Sequence, residues 1–530
     1  MANDNPRVRG RRGRLGRAIW GVLGLLLLAA GLAAAAVSYR QADPKPSLLG
    51  GNLPVNPTAL NRNDLTSNNT PTVVANPRNP ANLASVNRID APDFSCALNV
   101  SMDGGASWAP TRFPAPPGDK ASCLAPDVTW ASDGTLYASF SNFASVPGSG
   151  LDPAGVYLVS SKDGGRTLSP PVMAQGPFAF EVRLLADPAV AGRLYLTWVQ
   201  TTATTGAGFS LDNNPLLLAR SDNGGATWGK PVTVSPTSRR RPLAPALAAA
   251  PNGDLFLSYL DVQGDSLDYL GVHQGKGGEP YAGTWSLVVA RSKDGGVSWR
   301  ESDVDTRIVP TQRFVDLFAP TPSIAVEGST GRVFVAFHDA RLGDADVYVW
   351  ASTDRAVSWG SAHRVNDTGR GDRRSQYLPA IQVAPGGRLD VVYYDRRADS
   401  RDVLNEVSLQ SSFDHAATFT PRLELSEGAF DSKIGFGNDR DLPELGSRLG
   451  LVSTDSRALA QWCDTRGGVR LTKKQDIGQA IADFADPFPA RLPLRYGGPA
   501  VAALGLIALV WAVLPSRRRR SADNSRESDE

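Results

Sequence analysis

Three Asp-x-Arg pairs follow apolar, aromatic-rich runs in the second half of the chain. They are Asp339/Arg341, Asp395/Arg397 and Asp464/Arg466. An arginine guanidinium is planar and can bind a carboxylate through two parallel hydrogen bonds, and an aspartate can orient it or accept hydrogen bonds from sugar hydroxyls. Ion pairs that only hold neighbouring structural elements together would have the same composition. We therefore name these six residues as candidate ligand contacts, with the structural role as the alternative.

Arg374 and Tyr377 lie between the first two pairs and complete the set of candidate ligand contacts. Arg183 is a further arginine that such a site could recruit, but no motif assigns it a role. The four histidines are not spaced as metal ligands, and the Gly-Gly dipeptides recur in turns rather than in a phosphate-binding loop. The acidic loop 339–346 could hold Ca²⁺ through oxygen ligands, although a solvated loop is the simpler interpretation. We expect no metal and no cofactor, and catalytic residues stay unassigned.

An eight-residue pattern repeats six times and must position these residues. Each copy starts with Ser, has Asp or Asn third and Ser or Thr seventh, and ends with Trp, Leu or Phe. The interval between copies is 60 residues, except for 71 between the third and the fourth. A fixed period of this length indicates a repeat architecture. The copies begin at Ser101, Ser161, Ser221, Ser292, Ser352 and Ser412.

The residues of this pattern are typical of a hairpin turn. Asp and Ser side chains accept hydrogen bonds from nearby backbone N–H groups, and the Gly-Gly of the first four copies tolerates positive φ. Runs such as Val347–Trp350 before most copies predict strands that lead into the turn. The pattern resembles the Asp-box, or bacterial neuraminidase repeat, of the sialidase superfamily over roughly residues 50–483. That resemblance implies a β-propeller whose boxes are scaffold turns on the face away from the ligand.

We expect an all-β fold with seven blades, although sialidases of this resemblance have six. Each repeat reads as strand, turn, strand, loop, strand, box, strand, and six repeats carry boxes. After the sixth box the chain supplies three more predicted strands, near 447–453, 458–464 and 475–481. The segment 51–56 could add the fourth strand and close the ring, which removes the exposed edges of an open array. The predicted propeller spans residues 51–483, with a six-bladed propeller as the alternative.

The connectivity of the repeat predicts which face carries a site. If the box joins strands three and four of a blade, the short turn between strands one and two lies on the same face. The connections between strands two and three, and between blades, lie on the opposite face, where the insertions 141–155, 201–214 and 262–284 fall. Binding residues are concentrated on loops held by a rigid scaffold. We therefore expect a glycan or a protein ligand to bind on this opposite face, called the long-loop face below.

The resemblance also suggests an enzymatic role, that of a sialidase. Sialidases of this superfamily use three arginines for the substrate carboxylate, an Asp acid/base and a Tyr nucleophile activated by Glu. The first of these arginines belongs to a Phe/Tyr-Arg-Ile-Pro motif at the start of the propeller, but Thr70–Ala75 (TPTVVA) stands in that region here. A fold alone does not confer activity. We expect a sialidase-like propeller that binds a ligand, with an exo-sialidase type of glycoside hydrolase as the alternative.

Apolar runs near both ends of the chain predict membrane anchoring. Each is long enough to cross a bilayer as a helix, and each has its arginines on the side of the chain end. Since positive flanks stay in the cytoplasm, we expect a cell-membrane protein with both termini cytoplasmic and an extracytoplasmic propeller. A cleaved signal peptide is the alternative for the first run. The predicted segments are a basic tail (1–17), a transmembrane helix (18–39), linkers (40–50 and 484–496), a second transmembrane helix (497–515) and a tail (516–530).

Charge between the two tails is nearly balanced. Residues 18–515 contain 44 Lys and Arg against 48 Asp and Glu. A protein that binds nucleic acid needs an excess of positive surface charge. The composition therefore argues against a nucleic-acid partner.

Cys96 and Cys123 are predicted to form a disulfide. The expected compartment is oxidising, where disulfides persist. Cys96 opens the third strand of blade one and Cys123 leads into blade two, so both fall on the long-loop face at the junction of two blades, within the short reach of a disulfide. Pairing with Cys463 of blade seven, or three reduced cysteines, are the alternatives.

Overall fold

A computed structural model describes most of the chain as two compact units. One unit is Lys45–Phe484, and the other combines the two terminal segments, Met1–Pro44 and Ala485–Glu530. Within them the structure describes residues 18–34, 45–61, 63–114, 123–146, 150–201, 213–265, 281–311, 320–435, 443–484 and 491–514. The predicted tails, residues 147–149 of the first insertion and most of the other two insertions lie outside the described residues.

Seven antiparallel sheets follow one another along Lys45–Phe484 and form a seven-bladed β-propeller. The first strand of every blade lies against the first strands of both neighbours, from blade 1 round to blade 7 and back to blade 1. First strands are therefore innermost and the fourth strands form the outer edge. A short 3₁₀ helix, Pro57–Leu60, precedes blade 1.

Blades 1 to 3 take their strands in chain order. Blade 1 contains Asn68–Asn76, Asn79–Ile89, Ser95–Ser101 and Ala109–Thr111. Blade 2 contains Cys123–Trp130, Leu136–Val146, Gly150–Ser161 and Val172–Gln175. Blade 3 contains Ala179–Ala186, Leu194–Gln200, Leu216–Ser221 and Val232–Thr233.

Blades 4 to 6 repeat the same order. Blade 4 contains Pro242–Ala249, Leu255–Asp261, Trp285–Ser292 and Arg300–Ile308. Blade 5 contains Ser323–Val326, Val333–Asp339, Asp346–Ser352 and His363–Arg364. Blade 6 contains Gln376–Val383, Leu389–Asp395, Leu404–Ser412 and Leu423–Glu424, and Phe430–Asp431 also pairs with its third strand.

Blade 7 is built from both ends of the propeller. Its first three strands are Gly450–Ser453, Arg457–Asp464 and Asp476–Asp483. Ser47–Leu48 and Leu53–Pro54 pair with the third of these strands and occupy the outer position. The prediction of seven blades closed by a strand from residues 51–56 is confirmed, and the six-bladed alternative is wrong.

The closing segment is held by side chains as well as by backbone pairing. Asn56 is buried; its Nδ2 donates to Asp476 Oδ1 at 2.9 Å, and its Oδ1 accepts from the Ile477 N–H at 2.7 Å. Asn52 bridges back to blade 6, where its Nδ2 donates to the Leu425 carbonyl at 2.7 Å. The closing segment therefore joins blade 7 to blade 6 as well as completing the last sheet.

All six Asp-boxes close on themselves by the same pattern of contacts, except that in the third box Asn223 Nδ2 donates to Thr227 Oγ1 where the other boxes have a hydroxyl donating to Asp. In the second box the Gly165 N–H donates to Ser161 Oγ at 2.9 Å, and both the N–H and the hydroxyl of Thr167 donate to Asp163. The Thr167 and Ser161 hydroxyls lower the pKa of Asp163 to about 2. The fifth and sixth boxes lack the Gly-Gly, yet the residues in its place keep positive φ, as at Arg355 (62°) and Ala356 (61°). The serine and aspartate contacts therefore hold this turn even where glycine is missing.

Cys96 and Cys123 form a disulfide with Cα atoms 5.4 Å apart. It connects the third strand of blade 1 to the first strand of blade 2. Cys463, on the second strand of blade 7, is a buried free thiol. The covalent link is thus between adjacent blades on the long-loop face.

The terminal unit contains two helices, one over residues 18–34 and one at Arg491–Val513. Gly31 lies so close to Ala502 that an added Cβ would meet its backbone N at 2.4 Å. Small residues at this contact allow the two helices to approach closely. The helical pair is a separate element from the propeller.

No helix among the described residues is long and apolar enough to span a membrane. The first helix has 17 described residues, and at about 1.5 Å per residue these fall short of the roughly 30 Å of a hydrocarbon core. The second begins with two arginines in its first five residues, so its apolar part is shortened to a similar length. The predictions of a transmembrane helix at each end, of a membrane partner and of a cell-membrane localisation with cytoplasmic termini are wrong.

Replacing Asn56 by Ala should destabilise the closed ring. The substitution leaves the Ile477 N–H and the Asp476 carboxylate without their buried partner, which costs about 2 kcal/mol of unfolding free energy. Asn61→Ala, at an exposed asparagine of the same segment, should cost less than about 0.5 kcal/mol. Urea denaturation followed by tryptophan fluorescence measures both, and equal effects of the two substitutions would contradict the role of Asn56 in closure.

Candidate functional site

A recurrent β-bulge marks where the first strands meet around the propeller axis. In blades 1, 2, 3, 4 and 6 the register shifts near the beginning of the first strand. First strands run from the long-loop face to the short turns of the opposite face, so all the bulges lie on the long-loop face. The residues with positive φ at the bulges are Thr70, Ala125, Glu181, Ala244 and Leu378, and Gly446 precedes blade 7 in the same conformation.

Three arginines and a glutamate line a pocket between these bulges. Arg88 comes from the second strand of blade 1, Arg183 from the first strand of blade 3, and Arg448 from the segment before blade 7. Glu181 belongs to the bulge of blade 3, and blade 4 adds Ala244 and Pro245 to the wall. The space between these groups is about 40 Å³. Such a space holds a few water molecules or the carboxylate end of a ligand, but not a whole sugar ring.

The three arginines are not equally compensated. Arg88 is buried and pairs with Asp90 at 2.6 Å and with Glu444 at 3.3 Å. Arg183 and Arg448 share a single carboxylate, because Asp127 lies 3.1 Å from the first and 4.0 Å from the second. The axial arginines are therefore held by three carboxylates, with the weakest pairing at Arg448.

Arg448 and Arg183 retain hydrogen-bonding capacity toward the pocket. Arg448 donates to two neutral acceptors, Thr72 Oγ1 and the Pro126 carbonyl, both at 2.6 Å. Burial, and then the positive charge of Arg183, lower the pKa of Arg448 to about 9. The Nη1 atom of Arg183 is buried and has no hydrogen-bond acceptor in the described part of the chain. An anion in the pocket would supply the missing acceptor.

Glu181 places a carboxyl group in the same pocket. Its Oε2 accepts a hydrogen bond from the Ala244 N–H at 2.6 Å. Desolvation raises the pKa of Glu181 to about 7. This carboxyl group therefore exchanges its proton near neutral pH, where an ordinary glutamate is fully ionised.

The predicted Asp-x-Arg pairs lie on the long-loop face but away from this pocket. Each arginine pairs with its own aspartate, with the closest contacts at 2.5 Å in all three pairs. Asp339 and Asp395 are fully buried and Asp464 nearly so. The pairs sit one per blade at the end of the second strand of blades 5, 6 and 7, and within the described residues no hydrogen bond or ion pair joins one pair to another.

Each of these arginines also reaches the outer edge of the preceding blade. Arg341 donates to Asp305 in the fourth strand of blade 4 at 2.8 Å, and Arg397 to Asp367, just after the fourth strand of blade 5, at 2.6 Å. Arg466 donates to Asn52, which bonds Leu425 and Glu427 at the edge of blade 6. The structure thus gives all three pairs a role in joining blades. Their contact with a ligand stays a prediction.

Arg374 and Tyr377 are placed close to the second pair. Arg374 Nη1 donates to the Arg397 carbonyl at 2.5 Å. Tyr377 is fully buried, and its hydroxyl donates to Asn405 Oδ1 at 2.7 Å. Burial raises the pKa of Tyr377 to about 12, which keeps the phenol neutral. In the described residues no group of three or more His, Cys, Asp or Glu side chains could hold a metal ion.

Sequence reasoning missed the axial cluster, apart from naming Arg183 as a residue that a site could recruit. Asp127, Arg183 and Arg448 each stand two positions after the bulge residue of their blade. A Pro follows the bulge residue in blades 1, 2, 4 and 6, but Val182 and Ser447 stand at that position in blades 3 and 7, so the alignment that would reveal the shared charged position needs the bulges of the structure.

Comparisons with known proteins show distant structural likeness. No protein-family model matches the chain, and no curated protein matches it. A protein of unknown function from Dyadobacter fermentans is 16% identical with a TM-score of 0.47, over 83% of this chain and 99% of that one. The NanB sialidase from Streptococcus pneumoniae is 11% identical with a TM-score of 0.42, over 68% of each chain. An ulvan lyase of polysaccharide lyase family 25 is 12% identical with a TM-score of 0.46, over 78% of this chain and 94% of that one.

Replacing Arg341 by Ala should destabilise the propeller because it leaves the buried Asp339 carboxylate without its cation. Removing one partner of a buried pair is costly, and since the Arg341 side chain is itself 26% exposed, we expect a loss of about 2 kcal/mol. Arg307→Ala is the matched control, because Arg307 also faces Asp305 but is 84% exposed and 4.0 Å away; it should cost less than about 0.5 kcal/mol. Urea unfolding curves compare the two, and a loss no larger for Arg341→Ala than for the control rules out the joining role.

Proposed function

We propose that this propeller binds an acidic glycan on its long-loop face, with a carboxylate of the ligand held by Arg88, Arg183 and Arg448. The observation that carries the proposal is the convergence of three arginines, from blade 1, blade 3 and the segment before blade 7, on one axial pocket. These arginines are far apart in the sequence, and only the closed ring brings them together. The proposal that the propeller binds an acidic glycan agrees with the sialidase-like repeat in the sequence.

A carboxylate fits the hydrogen-bonding state of the pocket. Arg183 Nη1 lacks an acceptor, and Arg448 shares Asp127 with it at the longer distance of 4.0 Å. A carboxylate offers two acceptor oxygens in the geometry that guanidinium groups prefer. Since the pocket has room for the carboxylate alone, the sugar ring would lie above it, toward the loops of the same face.

A longer ligand could extend from the axis toward blades 5 to 7. The predicted contacts Arg341, Arg397, Arg466 and Arg374 lie on that side, and the side chains of Arg341 and Arg466 are 26% and 29% exposed. In Arg341 and Arg466, Nε bonds the aspartate of the same pair and Nη2 also reaches the preceding blade, while Nη1 has no hydrogen-bond partner among the described residues and could donate to a ligand hydroxyl. Tyr377 is buried beneath them and would act on the ligand only through its neighbours.

Binding should depend on the axial arginines and on the acidic group of the ligand. We expect 3′-sialyllactose or a galacturonic acid trimer to bind, and neutral lactose to bind at least tenfold more weakly, in isothermal titration calorimetry. Arg183→Ala should weaken binding at least tenfold, since charge-assisted hydrogen bonds of this kind are worth about 1.5–3 kcal/mol. Arg183→Lys, which keeps the charge but loses the planar fork, should fall between the two.

The matched control is Arg300→Ala, an exposed arginine beside the fourth box on the opposite face. It should leave the affinity unchanged. Equal affinity for lactose and sialyllactose, or an Arg183→Ala variant that folds and binds as the wild type does, would refute the proposal. Binding of an acidic peptide in place of any glycan would assign the same pocket to a protein partner.

A glycoside hydrolase is the second candidate, and the observation in its favour is Glu181. A carboxyl group with a pKa near the working pH is suited to general acid catalysis. The sialidase-type mechanism that the sequence resemblance implies also needs a tyrosine nucleophile. The described residues that line the pocket include no tyrosine. The geometry therefore favours binding over hydrolysis.

We expect the isolated propeller not to release the fluorophore from a fluorogenic sialoside. The missing nucleophile at the pocket is the physical reason. A continuous fluorescence assay from pH 4 to pH 8 makes the measurement, with an active sialidase as positive control. Hydrolysis that disappears in Glu181→Gln but persists in Glu301→Gln would place the hydrolase first.

A further inference from the structure

Glu181 sets an acid beside the place that the proposed function assigns to the carboxylate of the ligand. Two ionised carboxylates in one small pocket repel each other and disfavour the charged form of both. We infer that the axial pocket takes up its acidic ligand together with one proton, which resides on the Glu181 carboxyl group. The proton comes from solvent and returns to it when the ligand leaves. The inference rests on the proposed function and adds a condition to it.

The position of Glu181 is fixed by the fold. The residue has a φ of 51°, a conformation that few non-glycine residues adopt, and the register of blade 3 shifts around it between Phe180 and Arg183. The hydrogen bond from the Ala244 N–H ties Oε2 to the first strand of blade 4 at 2.6 Å. The carboxyl group is thus positioned by the backbone of blade 3 and by a hydrogen bond from blade 4.

No cation in the described part of the chain pairs with Glu181. Within the described residues none of the three arginines lies within ion-pair distance of it, although all line the same pocket. The arginines are engaged by other acids: Arg88 by Asp90 and Glu444, and Arg183 and Arg448 by Asp127. The described wall contributed by blade 4 and by Thr321 carries no charge.

The charges of the cluster then set the proton requirement. Among the described residues of the cluster, three arginines balance the three carboxylates of Asp90, Asp127 and Glu444, so ionised Glu181 leaves these residues with a net charge of −1. An incoming carboxylate would raise this to −2 in a poorly solvated space. Protonation of Glu181 removes one of these charges, and it also converts an acceptor into a donor.

The free oxygen of Glu181 is suited to that donor role. The hydrogen bond from Ala244 occupies Oε2, and Oε1 has no hydrogen-bond partner in the described structure. A proton on Oε1 can therefore be donated to a carboxylate oxygen of the ligand, while the arginines donate to the other. Desolvation raises the pKa of Glu181 to about 7, so the proton is available near neutral pH.

Calorimetric titration of the propeller with 3′-sialyllactose from pH 5.5 to pH 8.5 tests the inference. The dissociation constant should be constant well below pH 7 and rise toward tenfold per pH unit above it, as required when one proton is bound with the ligand. At pH 8, titrations in phosphate and in Tris, which differ in ionisation enthalpy, should show uptake of close to one proton per ligand. This wild-type measurement requires no substitution and so does not depend on the folding of a variant.

The Glu181→Gln variant has an uncharged hydrogen-bond donor in place of the carboxyl group. Its dissociation constant for 3′-sialyllactose should therefore not change above pH 7, and its binding should take up no proton. Glu301→Gln is the matched control, because the pKa of Glu301 is also raised by burial, but it lies in the fourth strand of blade 4 beside Arg239 and Tyr259. That variant should behave as the wild type. A folded Glu181→Gln variant that keeps the pH dependence would overturn the inference.

The outcomes distinguish a failure of the proton-uptake inference from a failure of the proposed glycan-binding function. Binding that is independent of pH and of buffer, but still lost in Arg183→Ala, overturns the proton uptake and leaves the proposed function in place. Absence of sialyllactose and galacturonate binding at every pH overturns both. Proton uptake in the wild type that vanishes in Glu181→Gln supports both.

Discussion

The two ends of the propeller meet in blade 7, and the backbone pairing there holds the ring. A blade contacts only its neighbours, so an array of blades is stable as a ring only if the last one is joined to the first. Leu53–Pro54 and Ser47–Leu48 provide that junction by pairing with Asp476–Asp483. The axial pocket depends on it directly, because Arg88 belongs to blade 1 and Arg448 to the segment before blade 7. Opening the ring would separate these two arginines.

Within the closed ring, the same β-bulge presents chemically different side chains in different blades. The bulge at the start of the first strand places one residue in each of blades 1, 2, 3, 4 and 6 near the axis in the left-handed region of φ. The identities of these residues vary from Thr and Ala to Glu and Leu, so the scaffold is repetitive while the side chains it presents are not. Glu181 and Arg183 of blade 3 belong to this non-repeating set. In such a fold the residues that could bind a ligand are those that differ from one repeat to the next.

The repeat itself could be predicted from the sequence because the box turn depends on local contacts. Ser161, Asp163 and Thr167 lie within seven positions of one another and bond mainly among themselves. The spacing of the boxes indicated six blades, and the seventh blade and its closing strand were predicted from the strand-like segments after the sixth box and at residues 51–56. The terminal helices were mispredicted, since an apolar window does not reveal where a helix begins and ends.

The site was harder to predict because its contacts are between blades. Asp-x-Arg was recognisable as a pair, but the partners in the preceding blade, Asp305 and Asp367, belong to no motif. Arg88 and Arg448 are separated by most of the propeller and share no local pattern. Closure of the ring brings these two arginines together, and the positions of charged residues along the sequence do not predict that contact.

Building blade 7 from both ends of the propeller also has a consequence for synthesis. A ribosome adds about 5–20 residues per second, so the strand at residue 53 waits on the order of 20–90 s for its partner at residue 479. During that interval six blades can assemble, but the inner strand edge of blade 1 faces no neighbour and the closing strand has no sheet to join. The nascent chain is therefore an open array of blades with an unpaired closing strand at its N-terminal end. Crowded polysomes would be the place where two such arrays exchange their first strands.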